Sequence, residues 1–162
     1  MKTKKEDTMS NSNVTNGLNA ILANAIVAYQ KLHHYHWQVS GERFFALHAK
    51  FEDFYNKFAD IVDDVAERIL MIGGSPIGTL SEAVKNATIK EDSEIPSADE
   101  MVNRVLSDFV ILHTQMGKAI EEAEKASDRG TANLLDGMAD GLEKDMWMLR
   151  AYLQKSKAGR HA

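Results

Sequence analysis

The chain has 162 residues, 44% of them hydrophobic and 27% charged, with a formal net charge of −5 at pH 7; this describes one globular domain long enough to bury a sizeable core. There is no cysteine, which excludes disulfides and thiol catalysis, and no apolar run approaches the roughly 18 residues of a membrane span. The acidic balance disfavours a body that holds nucleic acid by attraction alone, and the lack of an apolar leader near Met1 points to the cytoplasm.

Residues 1–13, MKTKKEDTMSNSN, are polar and without periodicity, so they are expected as a flexible tail ahead of a domain over 14–157, with 158–162 as a second tail. Lys2, Lys4 and Lys5 would reach phosphates, but Glu6 and Asp7 partly offset them, and a solubilising role is favoured. The first helix is expected over 14–39, with Leu18, Ile21, Leu22, Ala25, Tyr29 and Leu32 at helical spacing and His36 on the same stripe. Taken alone, His36 reads as a core histidine. His33 lies one turn earlier, His34 points elsewhere, and Trp37 is a packing residue by default.

Ser40-Gly41 interrupts the helix and permits an antiparallel turn. The second helix, over 44–72, carries Phe44, Leu47, Phe51, Phe54, Phe58, Ile61, Val65, Ile69 and Ile72 in steps of three and four. Gly73-Gly74-Ser75-Pro76 stops it. About two dozen residues follow before the next long helix, the length a crossover needs to bring that helix in parallel. Within them Thr79-x-x-Glu82 forms a capping box for a short helix over 80–86. A second capping box, Ser97-x-x-Glu100, opens the third long helix, striped by Val102, Val105, Phe109, Leu112, Met116, Ala119 and Ala123. His113 lies beside that stripe without a carboxylate four residues away, and reads as structural. Ser127-Asp128-Arg129-Gly130 ends the helix, and Asp128 or Thr131 caps the fourth, which carries Leu135, Met138, Leu142, Met146, Leu149 and Leu153. Beyond it, Lys155, Lys157 and Arg160 make a short basic end. The fold expected is all-α, a four-helix bundle with a short extra helix in the crossover between the second and third long helices.

The second helix carries the chemistry. His48 and Glu52 are four residues apart and share a face, as are Asp63 and Glu67. Glu52 and Asp63 differ by about 20° in azimuth, so both pairs lie on one side, yet His48 and Glu67 are separated by roughly 28 Å along the axis. One chain therefore cannot bring all four to one ion. A second copy lying antiparallel across a two-fold axis removes the difficulty, because in one register His48 faces the partner's Glu67 while Glu52 faces the partner's Asp63. Imidazoles with carboxylates suit iron, zinc or manganese. Paired acids on a long helix are ordinarily a solvated face; two register-matched pairs beside histidines argue for more. No Glu-x-x-His occurs anywhere, which disfavours a di-iron centre built within one chain, as in bacterioferritins.

The stretch HWQVSGERFFALHAKFEDFYNKFADIVDDVAERI resembles the signature of the Dps family, miniature ferritins named as DNA-binding proteins from starved cells. The shared pattern is His-Trp, a Gly shortly afterwards, Phe-x-x-Leu-His, an Asp, then Ala-Glu-Arg, and the resemblance runs over about residues 17–155. It implies a ferritin-like bundle and a ferroxidase centre between two subunits, with His36, His48 and Glu52 from one and Asp63 and Glu67 from the other. Glu52 departs from the Asp that the family often places there. The resemblance further implies one or two iron ions (Fe2+/Fe3+) per site, hydrogen peroxide as preferred oxidant, and a ferric mineral stored inside a hollow dodecamer. Trp37 would intercept oxidising equivalents, and His33 is a candidate secondary metal contact. Three-fold pores in such shells are acidic; Glu124, Asp128 and Asp136 are the candidates here, with Arg129 and Asn133 standing where some relatives carry Asp. The competing reading is a DNA-binding, nucleoid-protecting protein in which the lysines of the tail dominate and iron oxidation is secondary. Its binding would weaken steeply with salt, and the acidic body counts against it.

Overall fold

The computed structural model describes residues 4–158 along the backbone and 12–154 in their side chains. Within them the chain forms five helices and no strand: α1 (Lys4–Gln38), α2 (Phe44–Met71), α3 (Leu80–Asn86), α4 (Ala98–Lys125) and α5 (Arg129–Ala158). Four are long and pack as a bundle, α1 against α2 and α4, and α4 against α5, while α3 lies against α1.

The helix ends follow from local chemistry. Gly41 sits at φ 96° between α1 and α2, a left-handed conformation that glycine adopts without a Cβ penalty. At the end of α2, Gly73 (φ 79°) lets its own N–H reach the Leu70 carbonyl while the Gly74 N–H bonds that of Ile69 at 2.8 Å, a closure that satisfies carbonyls the helix leaves open. The end of α4 makes the same closure, Ser127 N–H to Glu124 and Asp128 N–H to Ala123, but through a serine at φ 59°. Thr79 and Glu82 form the full capping box at α3. At α4 only half of the expected box exists. Ser97 accepts from the Glu100 N–H, but the Glu100 carboxylate turns to Arg104 Nε at 3.1 Å.

One boundary differs from the sequence expectation. The first helix begins at Lys4, not at residue 14, so the tail expected over 1–13 falls largely inside α1. Nothing between Lys4 and Val14 is Pro or Gly, so no residue there breaks the helix. Lys2 and Arg160 lie outside the described residues, as do the side chains of Lys4, Lys5, Lys155 and Lys157.

The crossover is pinned along α1, which sets the direction of α4. Asn19 accepts from the Ile77 N–H and donates to the Ser75 carbonyl. Further on, the fully buried Asn24 accepts from the Ile89 N–H at 2.7 Å and donates to Gln115 and to the Ala20 carbonyl. Near the far end Tyr35 donates to Asp92, which also receives Arg104 at 2.8 Å. The connection thus travels the length of α1 and delivers α4 beside the α1–α2 turn, where Arg43 pairs with Asp99 at 3.0 Å. As a result α4 runs parallel to α2.

Between the helices the core is apolar and well filled. Phe51, Phe54 and Phe58 of α2 are at most 1% exposed, and Phe54 and Phe58 pack on Phe109 of α4 with centroids 5.0 and 5.3 Å apart. The remaining side of the bundle, between α2 and α5, is bridged by long polar side chains. Lys57 pairs with the buried Asp145, and Arg68 reaches Asp128 at 2.6 Å and the Thr131 hydroxyl at 2.9 Å. No helix among the described residues is long and apolar enough to cross a membrane.

Candidate metal centre and family membership

The α1–α2 turn folds the last turn of α1 onto the first of α2, bringing His36 and His48 face to face with ring centroids 3.7 Å apart and planes 20° from parallel. Each Nδ1 lies against the other residue's backbone carbonyl, His36 Nδ1 to His48 O at 2.7 Å and His48 Nδ1 to His36 O at 2.8 Å. A carbonyl oxygen only accepts, so both Nδ1 atoms carry the proton and donate. In the neutral ring this leaves Nε2 as a lone-pair nitrogen in both. Fixing the tautomer through the other nitrogen is how proteins present histidine to metals. Two side chains on different helices thereby fix each other's tautomer and leave both Nε2 atoms as acceptors.

Around this pair the walls are aromatic. Phe44 stacks on His48 at 4.9 Å, and Tyr55 meets His36 edge-on at 5.2 Å. His36 is 9% exposed and His48 half-buried, whereas Glu52, one turn further along α2, is exposed and does not gather with them. Burial, then the charge of Glu52, pushes the Tyr55 phenol above its usual range, so it stands there as neutral O–H.

Asp63 and Glu67 lie further along α2, both exposed. Among the described residues no group of three or more His, Cys, Asp or Glu gathers to hold a metal within one chain. Close to Asp63 is instead a groove of about 480 Å³, lined by Ile26, Tyr29, Val62, Ala66 and Leu80. A second cavity of about 470 Å³ adjoins it across Ile26, Tyr29 and Leu80 and reaches Val84. Leu80 and Val84 of α3 are 75% and 43% exposed. Asp63 thus borders an apolar, concave face of this chain.

His33 donates its Nδ1 proton to the Tyr29 carbonyl at 3.0 Å and stacks on Tyr55 at 3.8 Å, one turn of α1 from His36. Trp37 is 59% exposed, with its ring 5.6 Å from His33. Of the pore candidates, Glu124 and Asp136 are exposed, but the Asp128 carboxylate is occupied. It accepts the Thr131 N–H and hydroxyl as the cap of α5, together with Arg68. One further residue, Tyr55, escaped the sequence reading. Tyr55 is three residues from Glu52 and seven from His48, on their face of α2, a spacing that would have found it. His113 does have a carboxylate partner, Glu143 at 3.0 Å, but on another helix, where sequence spacing is blind.

Residues 15–158 match the family model of the ferritin-like domain. The DNA protection during starvation protein of Brevibacillus brevis is 47% identical over 85% of this chain and 92% of its own. The chain belongs to the Dps family of ferritin-like proteins. The crystal structure of a Dps protein from Bacillus brevis superposes with a TM-score of 0.88 at 45% identity, covering 94% of this chain and 99% of that one. The Dps protein of Vibrio cholerae O1, described as a member of a broad superfamily of ferritin-like diiron-carboxylate proteins, superposes with a TM-score of 0.87 at 36% identity, covering 90% and 92%. Within this fold His36 and His48 meet at the α1–α2 turn, and Asp63 and Glu67 stand further along α2.

Proposed function

We propose that the protein oxidises Fe(II) at sites shared between two subunits, with hydrogen peroxide as preferred oxidant, and stores the Fe(III) product as mineral inside a shell of twelve copies. His36, His48 and Glu52 of one subunit bind the iron together with Asp63 and Glu67 from a second copy. The observation that carries this reading is the reciprocal bonding of His36 and His48, which holds two Nε2 lone pairs at the α1–α2 turn, while among the described residues no third His, Cys, Asp or Glu joins them. The apolar groove beside Asp63, with Leu80 and Val84 exposed next to it, supports a two-fold contact that would bring the second carboxylate pair across. Imidazole and oxygen donors suit Fe(II), and coordination positions left open admit the oxidant. Few ligands per site hold one or two irons weakly enough for the oxidised ion to move on.

Glu124 and Asp136 are proposed to line the route by which Fe(II) enters, with Asp128 contributing structure instead of charge. DNA protection, in the name of the Brevibacillus relative, would here be an accessory consequence of removing iron and peroxide together. The net charge of −5 gives direct DNA binding little electrostatic support.

The test is anaerobic titration with Fe(II) followed by peroxide. The wild-type protein is expected to oxidise the bound iron rapidly, and His48→Ala to lose the fast phase. Equal fast phases in both would remove the histidines from the site.

A further inference from the structure

The rings around the histidine pair form a continuous series. From His36 the contacts run to Tyr55 (5.2 Å, edge-on), from Tyr55 to His33 (3.8 Å, stacked) and to Tyr29 (6.4 Å, edge-on), and from His33 to Trp37 (5.6 Å). Trp37 has no ring contact with His36; its connection to the site passes through His33 and Tyr55. Tyr55 is half-buried, held by rings on three sides, and is the only oxidisable side chain among the described residues whose ring touches that of His36. Tyr29 continues the series into the groove that Asp63 borders. Packing alone does not require phenols at these positions.

We propose that Tyr55 is a redox relay, giving an electron to the oxidant at the His36–His48 site and passing the vacancy to Tyr29 or, through His33, to Trp37. The relay rests on the ferroxidase reading above. It matters when a site holds one iron, because peroxide takes two electrons and one Fe(II) supplies one. The balance is H2O2 + Fe(II) + Tyr–OH + H+ giving Fe(III) + Tyr–O• + 2 H2O. The O–O bond breaks, iron and the phenol each lose one electron, and the phenolic proton and one from solvent complete the second water. Without the phenol, one-electron cleavage releases a hydroxyl radical.

The experiment loads the assembled protein with one Fe(II) per site, adds one equivalent of peroxide, and freeze-quenches for electron paramagnetic resonance, with a parallel spin-trap assay for hydroxyl radical. The comparison is wild type, Tyr55→Phe, and Tyr152→Phe as a remote phenol. Phenylalanine keeps the ring contacts, so the bundle is retained. Tyr55→Phe is expected to lose the early tyrosyl signal and to gain trapped hydroxyl radical, while Tyr152→Phe keeps the wild-type pattern. An unchanged radical signal in Tyr55→Phe, with iron oxidised normally by the wild type, overturns the relay alone. Failure of the wild type to oxidise iron overturns the ferroxidase reading beneath it.

Discussion

Lys31 of α1 and Asp108 of α4 meet at 2.8 Å with side chains only 8% and 11% exposed. Burial raises the Asp108 carboxyl, and the Lys31 ammonium works against that rise. Removing one partner strands the other charge, so Asp108→Ala is expected to cost about 3–5 kcal/mol of stability. The double change Lys31→Met with Asp108→Leu is expected to recover most of it, read from urea unfolding. Asn24→Leu gives a second check. The Ile89 N–H loses its buried acceptor, a penalty of about 1–3 kcal/mol. Such residues mark what the sequence could not disclose. His36 fell on the inward stripe of α1 by periodicity alone, and the pairing of His48 with Glu52 was legible from spacing within α2. The exchange of Nδ1 bonds with His48 depends on how the turn folds one helix onto the other, and no spacing within either helix encodes it.

Among the elements, the α2–α5 clasp has a definite pH signature. Burial works to raise the Asp128 carboxyl, but bonds from the Thr131 hydroxyl and N–H, with the charge of Arg68, outweigh it and hold the carboxyl below its usual range. A depressed folded pKa means the clasp stabilises fully above the ordinary aspartate value of about 3.9, and its contribution is lost as pH falls through the lower folded value. Asp128→Asn should therefore melt lower at neutral pH and lose part of the acid-side slope, read by thermal denaturation across a pH series. Gly130 sits beneath the same guanidinium, where an added Cβ would lie 2.7 Å from Arg68 Nη2, so Gly130→Ala should weaken the clasp in the same direction. At the other end of this turn, Ser127 at φ 59° pays for a left-handed conformation that costs an L-residue about 1–2 kcal/mol. Ser127→Gly should raise the melting temperature. The helices and the crossover were legible because stripes, glycines and capping residues are local signals. The start of α1 was not, since polar residues without periodicity say only that a segment has no buried face.

As a whole molecule, the chain presents the His36–His48 pair near the start of α2 and an apolar face beside Asp63 further along it. Leu80→Asp places a charge on that face. It is expected to shift the assembly toward monomer in analytical ultracentrifugation and to abolish fast iron oxidation together with it. Retained oxidation by a monomer would show that one chain suffices. The proposed sharing of the site rests on arithmetic along α2, because a separation of roughly 28 Å at 1.5 Å per residue cannot be closed within one straight helix.

The most direct measurement mixes His48→Ala and Asp63→Ala subunits under exchange conditions and follows peroxide-driven Fe(II) oxidation. Each variant alone lacks the fast phase. In a mixed dimer one site combines both defects and the other is intact, so random pairing at equal amounts should restore about one quarter of the wild-type sites. No recovery in mixtures whose exchange is confirmed by mass spectrometry, or full activity in either variant alone, would contradict a centre shared between subunits.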